Sequence, residues 1–363
     1  MRQAGKERDH AKEQNHVDEG VRRSSPAGAR RALRLFRRLD GGGRYADLGC
    51  TLDETFVLSG SGTLSVDTCE GDFRLAADNS AFTGAFSFLK TRVYVDHVRA
   101  LGIRNKVTAS YGSEWPRGSA AYFRVNASGT FENDLSIDGG TGFWAYAVVG
   151  DHQVVQAGKV TCLNTTASPC PRFEALGGSA LVFTGGIVGA SGATAGRAVF
   201  NGNVTLAGAY TNDSVRCAFC GAAGLTFAGS GRMRFTKWTS TTAGRLEVRS
   251  GELVLDADGG WGGTNAVVAV SGGTLTVTAT AARTAFGGAD SRVSLELSGT
   301  GLIDVTDGCV VDVGRMCVNG VPASAGEYGG VNAEGKKRFA AWFGAGRGLV
   351  RVRRGSSLVI VVR

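Results

Sequence analysis

Only five of the 363 residues are proline and only four are histidine. So little proline excludes collagen, which needs a strict Gly-X-Y period with abundant proline. No run reaches the ~18 consecutive apolar residues of a membrane helix, so no transmembrane segment is expected. The N-terminal stretch 1–30 is polar and lacks the apolar core of a secretory signal. Nothing after position 45 keeps a sustained helical period. Catalytic signatures are missing as well: no G-x-S-x-G elbow, no Walker loop and no HExxH helix. His97 follows Asp96 on a strand-like run, where neighbours point to opposite faces, so the two make no acid/base pair. The glycine-rich segments lack the strand–loop–helix setting of a phosphate cradle.

Glycine, by contrast, is plentiful: 56 residues, roughly twice the usual share. With 43% hydrophobic residues the chain is not a disordered glycine-rich polymer. A Ser/Gly turn followed by an alternating apolar strand keeps returning, as in AGSGRMRF (228–235), RSGELVL (249–255), VSGGTLTV (270–277) and LSGTGLIDV (297–305). The glycines nearest these strands are Gly231, Gly251, Gly273, Gly301 and Gly348. The first four follow one another at a nearly even pace, and the last gap is close to two periods. Such a period predicts a solenoid, whose units bury their apolar faces only by stacking. An elongated repetitive surface points to a stalk, adhesin or binding scaffold before it points to a catalytic pocket.

Charge divides the chain. The segment 1–44 holds 12 Lys/Arg and 6 Asp/Glu, a net of +6, which leaves +2 of the total +8 for the rest. This segment therefore reads as a disordered basic leader, and 45–363 as the folded body. The near-neutral body gives no reason to expect nucleic-acid binding. The stretch ARRALRLFRRL (29–39) reads as a solvated tail or as translated sequence upstream of the true start; a membrane-surface or nucleic-acid contact is the sharper alternative.

The stretch DNSAFTGAFSFLKTRVYVDHVRALG (78–102) resembles the autotransporter-associated β-strand repeat, whose units run as an N-x-(F/Y)-(T/S)-G turn, a strand and an ALG close. The matching positions are Asn79, Phe82, Thr83, Gly84, Ala100, Leu101 and Gly102. VGRMCVNGVPASAGEYGG (313–330) is similar to the way such regions finish, at Asn319, Gly320, Gly326, Tyr328 and Gly329. The likeness covers roughly two-thirds of the body. It implies a right-handed parallel β-helix in a bacterial surface or secreted protein, with no catalytic residues and no cofactor to carry over. It also implies an extracellular or cell-surface location, although no signal peptide is visible. The final strands at 348–363 are too short for an outer-membrane barrel, so the chain is expected to be a fragment or to carry a misassigned start.

On this reading Leu253, Leu255, Leu275 and Val277 face inward and the threonines outward. Strands about 4.8 Å apart and a ~22-residue coil give roughly 14 coils and a rod on the order of 65–70 Å long. The region 103–180, with three of the five prolines, forms the irregular, loop-rich part where specific recognition is expected.

The binding candidates are aromatic. Trp115, Trp144, Tyr146, Trp238 and Trp261 suit stacking on a glycan or insertion into a protein partner; packing at coil edges is the competing role. Eight cysteines occur, and Cys162–Cys170 and Cys309–Cys317 are each spaced to close a local loop as a disulfide. The lone CxxC at 217–220 lacks the second pair of a zinc ribbon. Asp256 and Asp258, at i and i+2, share a strand face and are the one weak metal or acid/base pair; Asp before glycine is otherwise turn chemistry. Asp304, Asp307 and Asp312 form a looser acidic set. The expected function is a non-enzymatic surface or secreted structural, adhesin-like β-helix protein. The alternative is a carbohydrate-active β-helix enzyme, a polysaccharide lyase or hydrolase.

Overall fold

The computed structural model describes residues 33–35, 50–67, 72–89, 91–110, 121–137, 144–162, 172–189, 196–210, 215–219, 224–235, 244–256, 261, 266–282 and 284–353. They form a parallel β-solenoid. Most of its strands are three to five residues long, too short to bury an apolar face alone, so successive strands stack in register. Met233 lies over Leu253, Leu253 over Leu275, and Leu275 over Ile303. These steps along the chain equal those from Gly231 to Gly251, to Gly273 and to Gly301.

The coil has three faces. Strands such as Ala85–Leu89, Lys106–Ser110 and Asp134–Ile137 build the first, a seven-stranded sheet that is succeeded by the five-stranded sheet from Ala209–Tyr210 to Leu302–Val305. An eight-stranded sheet from Cys50–Leu52 to Val215–Phe219 forms the second face. The third runs from Gly129–Phe131 to Arg315–Val318, nine strands in parallel, before Val321–Pro322 turns back antiparallel. The strand Leu33–Leu35 pairs with Leu64–Val66, so the first sheet reaches into the segment the sequence reads as a leader.

Alternation decides what is inside. Leu253, Leu255, Leu275 and Val277 are fully buried, as their parity predicts. An aromatic column fills the wider coils: Phe123 stacks on Tyr146 with centroids 5.4 Å apart, and Phe173 on Phe200 at 5.6 Å. Burying each such ring contributes about 1.5–3 kcal/mol. Outward charges pair across coils, as in Arg74–Asp96 at 2.6 Å and Arg245–Glu296 at 2.9 Å, the latter spanning two layers over the small Ala269. Thr276 donates to Glu252 of the coil before it at 2.7 Å.

At one corner Asn79 is buried and ties three coils together. Its Oδ1 accepts from Leu58 N–H, and its Nδ2 donates to Ala100 O, both at 2.7 Å. At another corner the returning glycines pass so closely that a Cβ on Gly273 would sit 2.3 Å from Gly251 O.

Two expectations about length are corrected. The longest parallel sheet has nine strands, and the first face stacks seven and then five, short of the fourteen coils that an even period suggests. The reason is that coils widen: Val93 lies under Phe123 and Val107 under Leu135, longer steps along the chain than from Leu253 to Leu275. The interval from Gly301 to Gly348 is also one layer and not two. Within it the chain leaves the stack, forms Gly326–Tyr328 antiparallel to Leu349–Val352, and returns at Phe343, which bridges to Ile303. The solenoid runs through 103–180 with its register kept. The insertions at 111–120, 138–143 and 163–171 fall between first-face and second-face strands and lie outside the described residues.

Candidate functional site

A polar concavity lies inside the 103–180 region. It is a cleft of about 420 Å³ lined by Arg104, Thr130, Glu132, Asp134, Ala157 and Gly158. Three successive coils supply these residues. Arg104 sits at a corner with φ +57°, in the left-handed region, and its guanidinium reaches up to Glu132, with Nε donating to Oε2 at 2.7 Å. Glu132 and Asp134 flank Asn133 at the next corner, and strand parity turns both outward while Asn133 is buried. Asp134 Oδ1 accepts the Lys159 N–H at 2.9 Å. Gly158 forms part of the floor because the chain passes close there: a Cβ would meet Asn133 O at 2.0 Å.

The chemistry follows from what these groups leave free. Arg104 has 81% of its side chain exposed, so its Nη donors face solvent. One oxygen of each carboxylate and the Thr130 hydroxyl remain for a ligand. The walls carry no aromatic ring. Such a cleft suits a polyhydroxylated molecule held by hydrogen bonds, and the ion pair keeps it from being a strongly acidic pocket.

The aromatic candidates are corrected where they are described. Tyr146 is 1% exposed. Its register between Phe123 and Phe173 points it inward, and its phenol donates to Gln156 Oε1 at 3.2 Å. Burial pushes that phenol's pKa far above its ordinary value. Trp261 is fully buried, with Nε1 donating to Gly244 O at 2.6 Å. It lies between Glu252–Leu255 and Val267–Val270, on the side of the coil where the second face would run, and fills the interior there. Neither ring is available to a ligand. Trp115 and Trp238 lie outside the described residues. For Trp144 the description ends at the backbone, which pairs with Ala121.

The cysteine pairing is corrected too. Cys309 and Cys317 are free thiols. Cys309 packs toward the core ahead of Val310–Val313, whereas Cys317 alternates outward between buried Met316 and Val318. The wall of the solenoid separates them. Cys162 is buried inside its coil, and Cys170 lies outside the described residues.

The acidic candidates serve the scaffold. Asp256 pairs with Arg234 and accepts the Thr278 hydroxyl. Burial raises its pKa, yet these hydrogen bonds and the Arg234 charge together hold it below the ordinary 3.8. Asp258 lies outside the described residues. Asp304 and Asp307 accept backbone N–H groups of Gly346 and Arg347, at 2.9 and 2.6 Å, and anchor the returning C-terminal segment. Asp312 pairs with Arg353 at 2.6 Å. Among the described residues no group of three or more His, Cys, Asp or Glu could hold a metal ion.

Two hydroxyl clusters lack the marks of a nucleophile. Ser128 Oγ is 3.3 Å from His152 Nδ1, but it also accepts the Gln153 N–H, and Asp151 is occupied by the Gly178 N–H. Ser324 lies 3.0 Å from the Tyr328 hydroxyl and 3.4 Å from Lys336 Nζ. An exposed ammonium donates to that oxygen and takes no proton from it.

Nothing in the sequence signalled Arg104 or Glu132. They are distant in the chain, and only the widened coil brings them to one corner.

No family model matches the chain, and no curated protein or solved structure matches it. No helix among the described residues is long and apolar enough to cross a membrane.

Proposed function

We propose that the protein is a non-enzymatic structural protein of the bacterial surface or of a secreted assembly, an adhesin-like solenoid of the autotransporter-passenger kind. The observation that carries this reading is the open, ring-free polar cleft of Arg104, Glu132 and Asp134 on the outer wall of the stack. The backbone ladder supplies stiffness. The cleft holds a glycan through hydrogen bonds to hydroxyls, with the guanidinium as the main donor.

The test is binding of the full chain to an array of glycans, with Arg104→Ala and Glu132→Gln beside it. Loss of a charge-assisted hydrogen bond worth about 1.5–3 kcal/mol lowers affinity roughly 10- to 150-fold. Both variants keep the parent's thermal unfolding, because both side chains are exposed. Glycan binding that neither variant changes would overturn the assignment of the cleft.

The second reading, a carbohydrate-active enzyme, is favoured by one feature: two carboxylates share this cleft. Glycosidic cleavage needs one of them as a general acid or nucleophile. Release of new reducing ends or unsaturated sugars from a polysaccharide, abolished by Glu132→Gln or Asp134→Asn, would replace the adhesin reading.

A further inference from the structure

The inner side of the corner that carries the cleft holds a buried polar atom without a partner. Asn133 is 3% exposed. Its Nδ2 donates to Leu101 O at 3.0 Å. Its Oδ1 is buried and accepts from no described residue. A buried carbonyl left dry costs about 1–3 kcal/mol.

Beside it is a small interior cavity of about 10 Å³, bordered by Asn133, Tyr146 and Gln156 with Phe123 and Phe131 as walls. Every one of these residues is at most 3% exposed. That space is about one water-sized sphere, the least a buried water requires. The polar atoms that remain there are acceptors. Gln156 Nε2 is spent on Asn133 O at 2.7 Å and Gly158 O at 3.1 Å. The Tyr146 hydroxyl proton is spent on Gln156 Oε1. Asn133 Oδ1, Gln156 Oε1 and the Tyr146 oxygen still have lone pairs to offer. The occupant must therefore be small and bring two donors.

We propose that the solenoid binds one structural water at this position, donating to Asn133 Oδ1 and to an oxygen of the Tyr146–Gln156 pair. This water is a positioning ligand. Asn133 stands between Glu132 and Asp134, and Gln156 holds the backbone of Asn133 and Gly158, so the hydrated corner sets the inner geometry of the cleft. The inference stands whatever the cleft binds.

The test is a crystal structure of the full chain at a resolution that shows ordered solvent. A single peak is expected about 2.5–3.0 Å from Asn133 Oδ1. Tyr146→Phe keeps the peak, because two acceptors remain, and Asn133→Leu loses it. A wild-type cavity without density, or an Asn133 Oδ1 paired with a protein donor, would overturn the proposal. So would a peak that persists at the same place in Asn133→Leu. Should that variant fail to fold, the wild-type and Tyr146→Phe maps still decide.

Discussion

Replacing Gly273 by alanine separates two costs that the repeating glycine phrase hides. Gly273 has φ +69°, where an L-residue is strained by about 1–2 kcal/mol. Alanine returns about 0.4–1 kcal/mol by restricting the unfolded chain. These two effects alone leave a destabilisation of about 0–1.6 kcal/mol. The new Cβ would also lie 2.3 Å from Gly251 O and 2.6 Å from Ser250 C, both backbone atoms of the coil below. Relief needs a shift of roughly 1 Å between coils held by a hydrogen-bonded ladder, an overpacking cost of about 1–3 kcal/mol. The expected total for Gly273→Ala is about 1–4.6 kcal/mol. Gly308→Ala is the control: its φ is +73°, yet nothing lies within 4 Å of its added Cβ. It shows the conformational part only. Urea unfolding followed by far-UV dichroism gives both values, read from midpoints at unchanged slope. Equal destabilisation in the two variants would refute the close stacking of glycines as the reason for the repeat.

Phe173→Ala, at a buried ring in edge contact with Phe183 at 5.1 Å and stacked on Phe200, is expected to cost about 3–5 kcal/mol in the same assay. Asp256 has its folded pKa lowered below 3.8, so its contribution is fully present above that pH and is lost as pH falls through the depressed value. The stability gap between wild type and Asp256→Asn therefore narrows on acidification from neutral pH; a gap that widens contradicts the ion pair. Alkylation of the unreduced, unfolded chain followed by mass mapping is expected to find both Cys309 and Cys317 modified, and a 309–317 cross-linked peptide would contradict the wall that separates them. Arg104→Ala is expected to change unfolding free energy by no more than about 0.5 kcal/mol, since its side chain is 81% exposed; a larger loss would mean that the corner depends on Arg104 for its fold.

Much of the scaffold was legible because strand periodicity and glycine spacing are local signals. The positions of Gly231, Gly251, Gly273 and Gly301 carried the register of four layers, and the parity of GELVLDAD and GGTLTVTAT placed Leu253, Leu255, Leu275 and Val277 inside. Tyr146 and Trp261 were the wrong guides to a site. An aromatic ring suits a glycan and a solenoid core equally well, and alternation in WAYAV puts Tyr146 in the column beside Phe123 and Phe173. Trp261 offered no periodic context, because glycines flank it on both sides. Asp304 and Asp307 looked like an acidic set, but their partners are backbone N–H groups far along the chain, at Gly346 and Arg347.

By itself, then, the sequence determined that the chain is all-β, that it stacks with the period of its returning glycines, and which side chains face in. Each of these follows from spacings within one strand or between like phrases. Only the tertiary structure decided how wide each coil runs, and with it which side chains of successive coils meet. The step from Val107 to Leu135 is longer than the step from Phe86 to Val107 before it. That extra length brings Glu132 over Arg104, with the cleft outside Asn133 and the small interior cavity inside it. The physical reason is that insertions change the path between strands while the hydrogen-bonded ladder holds the register, and no local pattern records where two corners will coincide.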